Sequence, residues 1–373
     1  MMCVLLGVAI WLIVATLYGL PVSTTHSCIG GIIGMAVVSK GFKAVNWRAV
    51  GNVGLSWIIA PIVSALLSTS IFLVIRKFIL RSKNTVNRAF AAYSPIVGFT
   101  IALNVFLVLF TSESLHLDLS LWVLILICLG IGAICSLVVQ LALLPYIRLH
   151  VHSDIEANLL PLSNENQEEA KEDETKKEVE SISDKVQISD AVAEIHRNAE
   201  EFNPSTEKLF SYLQILTAIF NSFAHGANDV ANSIGPFAAC IAIYETGNVM
   251  ADARVPTLTL VVGGFGIVIG LVCLGYKVMA SMGMNMVKVT PARGFTIEIG
   301  AALVILVGSA LGLPLSTTHC KVGSTVGVGL AEGKNGVNWK LVYEVFAGWI
   351  ITIFICALST GLVVWLALRF LRF

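Results

Sequence analysis

The sequence predicts an all-α polytopic membrane protein with inverted repeats, two re-entrant helical hairpins and a broken transmembrane helix. Three observations carry this reading. Of 373 residues, 56% are hydrophobic and only 13% charged, against a charged share of about 25% in soluble chains. The run Gly-Leu-Pro-x-Ser-Thr-Thr-His occurs twice, at 19–26 and 312–319. Between Phe223 and Pro236, an aspartate, two asparagines and a histidine interrupt an otherwise apolar segment.

Apolar stretches near the ~20 residues needed to span a bilayer fall at 1–18, 50–75, 91–110 and 119–144, and again at 209–244, 258–279, 296–311 and 341–368. The first lacks a basic leader and runs into Gly-Leu-Pro, so it reads as a mature helix rather than a signal peptide. Two further apolar pieces, at 23–38 and 316–330, are too short to cross comfortably and are rich in Gly, Ser and Thr. They are the two hairpins. Each is preceded by Gly-Leu-Pro and followed by Val-Asn-Trp, at 45–47 and 337–339, and Trp57 returns as Trp349. Duplicated short, Gly-interrupted segments at matching positions point to a transporter's binding site.

The formal charge of zero hides a division. The stretch 151–207 holds 16 of the 24 acids and 5 of the 24 basic residues, leaving 8 acids against 19 basic residues elsewhere. A basic membrane part suits a protein that handles anions. Arg76, Lys77, Arg81, Lys83 and Arg88 crowd one loop, whereas 112–120 has Glu113 and Asp118 and no Lys or Arg, which sets the basic loop and the acidic stretch on the cytoplasmic side. The chain therefore divides into a first membrane half at 1–149, an acidic loop at 150–207 and a second membrane half at 208–373. The loop's composition argues for disorder with short helical patches, as a solvated linker or a partner-binding segment whose serines are open to phosphorylation. The eight cysteines are scattered singly, without metal spacing, and read as small packing residues.

In the 209–244 segment, Gly226 and Pro236 read as breaks in a spanning helix, tolerated only where the freed backbone lines a cavity or meets protein. Asp229 is the central residue, because an ionisable group inside a membrane segment is a functional candidate by default. With Asn228 and Asn232 it offers the hard oxygens that suit Na⁺; the alternative is a polar contact that only holds helices together. His225 has three readings, as proton carrier, substrate donor or packed histidine. Glu298 either pairs with Arg293 at the membrane edge or takes part in cation coupling, and Gln214 is a weaker candidate. At each hairpin a proline and hydroxyl residues open a helix: Ser23, Thr24 and Thr25 in the first, Ser316, Thr317 and Thr318 in the second. Free N–H groups, a positive dipole end and several hydroxyls at one point suit an oxyanion such as phosphate or sulfate. A single copy is equally an N-cap; two opposed copies favour the anion. No nucleophile elbow or orienting carboxylate accompanies Ser23/His26 or Ser316/His319, so an enzyme is not expected.

Taken together, Gly226-Ala227-Asn228-Asp229-Val230-Ala231-Asn232, the two Gly-Leu-Pro-x-Ser-Thr-Thr-His runs and Arg293-Gly294-Phe295-Thr296-Ile297-Glu298 resemble the inorganic phosphate transporter family, the eukaryotic sodium-dependent phosphate symporters. The resemblance covers all but the acidic stretch. It implies phosphate bound centrally between the broken helix and the hairpins, coupling to Na⁺ or H⁺, a homodimer in the lipid bilayer, a plasma-membrane location and no nucleic-acid partner. It assigns substrate contacts to Ser23, Thr24, Thr25, Asn228, Asp229, Ser316, Thr317 and Thr318, and cation contacts to Asn228, Asp229, Asn232 and Glu298, with Na⁺ as co-transported ion and no other cofactor. H⁺-coupled phosphate or sulfate transport, or a non-transporting phosphate sensor, are the alternatives. The family carries Gly-Ala-Asn-Asp twice, and this sequence holds it once. It reads as lacking the N-terminal part of the first repeat, either as an incomplete product or as a shortened homologue.

Overall fold

A computed structural model describes residues 1–111, 120–149, 190–248 and 255–370. Each short copy of the repeat packs on the long helix that follows the other copy, and this exchange locks the two halves together. The first copy comprises α1 (Met2–Leu17), a turn and α2 (Thr24–Lys40), then α3 (Trp47–Ile75), which runs on through a π-turn to Leu80. The second comprises α9 (Pro291–Ala310), a turn and α10 (Thr317–Leu330), then α11 (Trp339–Phe370). Between them lie α4 (Thr85–Thr111), α5 (Leu121–Val138, continuing to Leu149), the short α6 (Asp190–Asn198), α7 (Pro204–Thr246) and α8 (Thr257–Met284). Helix α2 lies along α11, and α10 lies along α3.

Glycine makes that exchange close. A Cβ on Gly34 would stand 2.1 Å from the Ala357 carbonyl oxygen, and one on Gly323 would stand 2.2 Å from that of Pro61. The backbones touch where any side chain would hold them apart, as in small-residue helix contacts inside membranes. Matched details run through both copies. Ser23 and Ser316 each accept the N–H three residues on, Asn46 and Asn338 cap the next helix, and Trp47 and Trp339 each donate an indole N–H to the carbonyl five residues back.

Among the described residues, six helices are long and apolar enough to cross a membrane: Trp47–Leu80, Thr85–Phe110, Leu121–Leu149, Thr257–Met284, Pro291–Ala310 and Trp339–Phe370. Each meets one of the eight predicted spans. Of the other two, α1 is a 16-residue apolar helix. The other, α7, corrects the sequence reading. The segment expected to be broken is one continuous helix of 43 residues. Pro236 supplies no N–H to the helix ladder and its ring crowds the carbonyl four residues back, at a cost of about 3 kcal/mol, yet the helix runs on to Gly247, whose φ of 69° ends it.

The acidic loop lies outside the described residues up to 189. Its tail is ordered. Helix α6 buries Val192 and Ile195, Ala199 is buried just past its end, and His196 hydrogen-bonds the Met284 carbonyl at 2.9 Å. Just beyond, Glu200 takes Arg76 and Arg81, while Arg293, 1% exposed, pairs with Glu332 at 2.9 Å and donates to the Glu200 carbonyl at 2.7 Å.

Candidate functional site

Helical spacing puts Asn221, His225, Asp229 and Asn232 along one side of α7, with Asn228 beside them. This side faces the starts of α2 and α10. Asp229, 7% exposed, accepts a hydrogen bond from the Thr317 hydroxyl at 2.5 Å and one from the Asn232 amide at 3.0 Å, and lies 2.7 Å from His225 Nε2. The Asn232 amide also lies 3.1 Å from the Thr25 hydroxyl and 3.5 Å from that of Thr24. Asp229 thus reaches the second helix start directly and the first through Asn232. A buried carboxylate carries a desolvation cost of several kcal/mol, and charge-assisted hydrogen bonds of about 1.5–3 kcal/mol each offset it.

The two helix starts also meet one another. The Ser316 hydroxyl donates to the Ser23 hydroxyl at 2.8 Å, both side chains being 1% exposed. Two positive helix ends are therefore apposed, with the Asp229 charge close by. Behind them, His26 and His319 lie tilted against each other with ring centroids 4.4 Å apart, His26 lying against Trp57 and His319 against Trp349. The serines bond backbone N–H groups and each other, not these imidazoles, so no Ser–His relay forms. Trp349 ties this ring cluster to the other copy by donating to the Pro21 carbonyl at 3.2 Å, and Ser56 does the reciprocal job at the Pro314 carbonyl, at 2.9 Å.

The structure brings together Ser23, Thr24, Thr25, Asp229, Asn232, Ser316 and Thr317, with Asn228 donating to the Leu315 carbonyl at 3.3 Å just ahead of α10. Two of the expected residues lie apart from this group. Thr318 is half-buried and takes no part in these bonds. Glu298 does not join the Asp229 group. It pairs with Lys321 of α10 and accepts from the Asn221 amide at 2.5 Å, and Asn221 lies two turns, about 12 Å of helix rise, before Asp229. The expected four-residue cation set is therefore two separate places. Nor does Glu298 pair with Arg293, which Glu332 takes instead. Gln214 packs against Gly294, away from this group.

Sequence reasoning missed Asn221 and Lys321. Each stands one helical turn from a residue it did find, Asn221 four before His225 and Lys321 four after Thr317. Among the described residues no group of three His, Cys, Asp or Glu could hold a metal ion. A cation here would meet single carboxylates with amide, hydroxyl and carbonyl oxygens, a hard-oxygen set.

Comparison with known proteins places this arrangement. The model of the phosphate transporter family matches residues 1–360. A Pyrococcus abyssi protein named a phosphate permease is 36% identical over 359 residues, covering 96% of this chain and 76% of its own. The inorganic phosphate transporter 2-1, chloroplastic, of Arabidopsis thaliana is 35% identical over 97% of this chain and 57% of its own. A solved structure, described as the sodium-dependent phosphate transporter, superposes with a TM-score of 0.76 at 29% identity, over 99% of this chain and 79% of that one.

Proposed function

Because the chain belongs to the phosphate transporter family and is a multi-pass membrane protein, we propose that it imports inorganic phosphate by symport with Na⁺. The observation that carries this is the position of Asp229, bonded to Thr317 at one hairpin helix and, through Asn232, to Thr24 and Thr25 at the other. A transported Na⁺ at Asp229, held with the Asn228 and Asn232 side chains, neutralises the carboxylate and weakens its hold on Thr317. The hydroxyls of Ser23, Thr24, Thr25, Ser316 and Thr317 and the two helix N-termini are then free to donate to phosphate. A cation beside the anion also removes the repulsion between phosphate and Asp229. Loading is thus ordered, cation first. Relative movement of the two interlocked copies about the Ser23–Ser316 contact then exposes the solute to either side. The protein acts in the plasma membrane as a homodimer.

A second reading keeps the phosphate and replaces Na⁺ with H⁺. It is favoured by the 2.7 Å contact of His225 with Asp229, which gives a proton a place to reside. The deciding experiment is uptake into liposomes with sodium and pH gradients imposed separately and sulfate as competitor. Uptake driven by sodium alone and indifferent to sulfate is expected. Uptake that follows only the pH gradient, or protein that binds phosphate and moves none, would replace the proposal by proton coupling or by a sensor.

A further inference from the structure

We infer that the Lys321 ammonium is a built-in counter-cation, which occupies the Glu298 carboxylate in place of a transported cation and so lets the unloaded carrier return. The inference rests on the cation-coupled reading above and adds a residue to it. Lys321, Glu298 and Asn221 come from three separate elements, α10, α9 and α7, and meet at one carboxylate: the ammonium on one oxygen, the Asn221 amide on the other. Lys321 also lies on the helix that carries Thr317, one turn further along, within electrostatic reach of His225. With Asn221, the pair therefore joins the short helix that would donate to phosphate to the helix that carries Asp229.

The repeat shows that this pair is not needed to hold the architecture. Shifting by the 293 residues that relate Ser23 to Ser316 sets Leu5 opposite Glu298 and Cys28 opposite Lys321. The first copy packs its hairpin helix as closely as the second, with Gly34 against Ala357 where Gly327 meets Ala65, and it has neither charge. An ion pair that is 26% and 17% exposed gains little over apolar packing, so retention of both charges calls for a use. A lysine supplies one: its point charge on a four-carbon stem can leave a carboxylate and reach another acceptor without moving the backbone. When Na⁺ takes Glu298, the ammonium is released from the carboxylate. When both solutes leave, it returns, and no uncompensated carboxylate remains to hinder the return.

The test uses the purified full-length chain. Sodium binding without phosphate is measured for the wild type, Lys321→Gln and Lys321→Arg. Removing the competing ammonium is expected to tighten Na⁺ binding about tenfold in Lys321→Gln, a factor within the range of ordinary site-to-site coupling, while Lys321→Arg, which keeps the charge, stays near the wild type. In liposomes, Lys321→Gln is expected to keep phosphate–phosphate exchange within about twofold and to lose about tenfold in net uptake, because only net uptake needs the unloaded return. Unchanged Na⁺ affinity in Lys321→Gln overturns the inference, as does equal loss of exchange and net uptake in folded protein, which would make Lys321 a static support. Failure of the symport reading looks different: the wild type itself would show no sodium-driven uptake, while the binding contrast between the variants would still be readable.

Discussion

Thr317 donates its hydroxyl to Asp229 across 2.5 Å, joining the first turn of one short helix to the middle of a 43-residue one. The carboxylate thereby holds a donor that an oxyanion would otherwise use. Competition between a fixed anion and a transported one for the same hydroxyl makes binding of the transported anion depend on what neutralises the fixed one.

Asp229→Asn is expected to remove sodium-driven phosphate uptake while the protein still inserts and purifies as a folded species. The amide keeps the size of the side chain and loses its charge. Uptake at the wild-type rate in reconstituted vesicles would take Asp229 out of the mechanism.

Thr317→Val and Thr318→Val separate the two adjacent hydroxyls. Loss of one hydrogen bond to a charged group, about 1.5 kcal/mol, corresponds to roughly a tenfold weaker apparent phosphate affinity, expected for Thr317→Val. Thr318, which takes no part in the cluster, should change it by about twofold at most. A phosphate concentration series for each variant distinguishes them, and the reverse ranking would place the substrate on the other side of the helix.

Ser23 and Ser316 both cap a helix and bond each other. Each serine-to-alanine change is expected to cost about 1 kcal/mol as a lost cap. The double variant should cost less than the sum by about 0.5 kcal/mol or more, since the shared hydroxyl bond is lost only once. Strict additivity in thermal or denaturant unfolding would mean that the two helix starts are independent in solution.

Gly34→Ala forces a methyl to within 2.1 Å of the Ala357 carbonyl oxygen. Overpacking of this kind costs about 1–3 kcal/mol, which a lowered melting temperature would register. Gly264→Ala in α8 has nothing within 4 Å of its new methyl and should stay within about 0.5 kcal/mol of the wild type or gain slightly from the better helix former. Equal melting temperatures for Gly34→Ala and the wild type would contradict the close approach of α2 and α11.

Outside the membrane spans, hydrogen bonds from Arg81 at 2.7 and 2.9 Å, with the charge of Arg76, hold the Glu200 carboxyl below the usual carboxylate range. A carboxylate whose pKa is lowered by folding stabilises the folded state above its unfolded value, about pH 4.3, and that contribution disappears as pH falls through the lowered folded value. Glu200→Gln should therefore melt below the wild type at pH 7, with the gap closing as pH falls below about 4. A gap that stays constant down to acid pH would show that the ion pairs contribute nothing there.

Much was legible in the residues themselves. Composition and span length are enough to specify a helical membrane protein, since a bilayer core accepts no other way of satisfying the backbone of an uninterrupted apolar segment. The repeated Gly-Leu-Pro-x-Ser-Thr-Thr-His run marked both helix starts, because a proline and a capping hydroxyl are local requirements readable from neighbours in sequence. Asp229 stood out for the cost of a charge in that setting.

Only the tertiary structure decided what those residues meet. The Ser23–Ser316 and Asp229–Thr317 contacts, and the packing of each short helix on the long helix of the other copy, join positions from 88 to more than 300 residues apart. Such pairings depend on how whole helices cross, which no local pattern encodes. The same is true of the choice of Lys321 over Arg293 as partner for Glu298: both are one helical turn or a short chain segment from plausible contacts, and packing against α7 and α10 settled between them. The continuity of α7 through Gly226 and Pro236 belongs there as well, since neighbouring helices, not the two helix-breaking residues, determine whether a weakened helix stays whole.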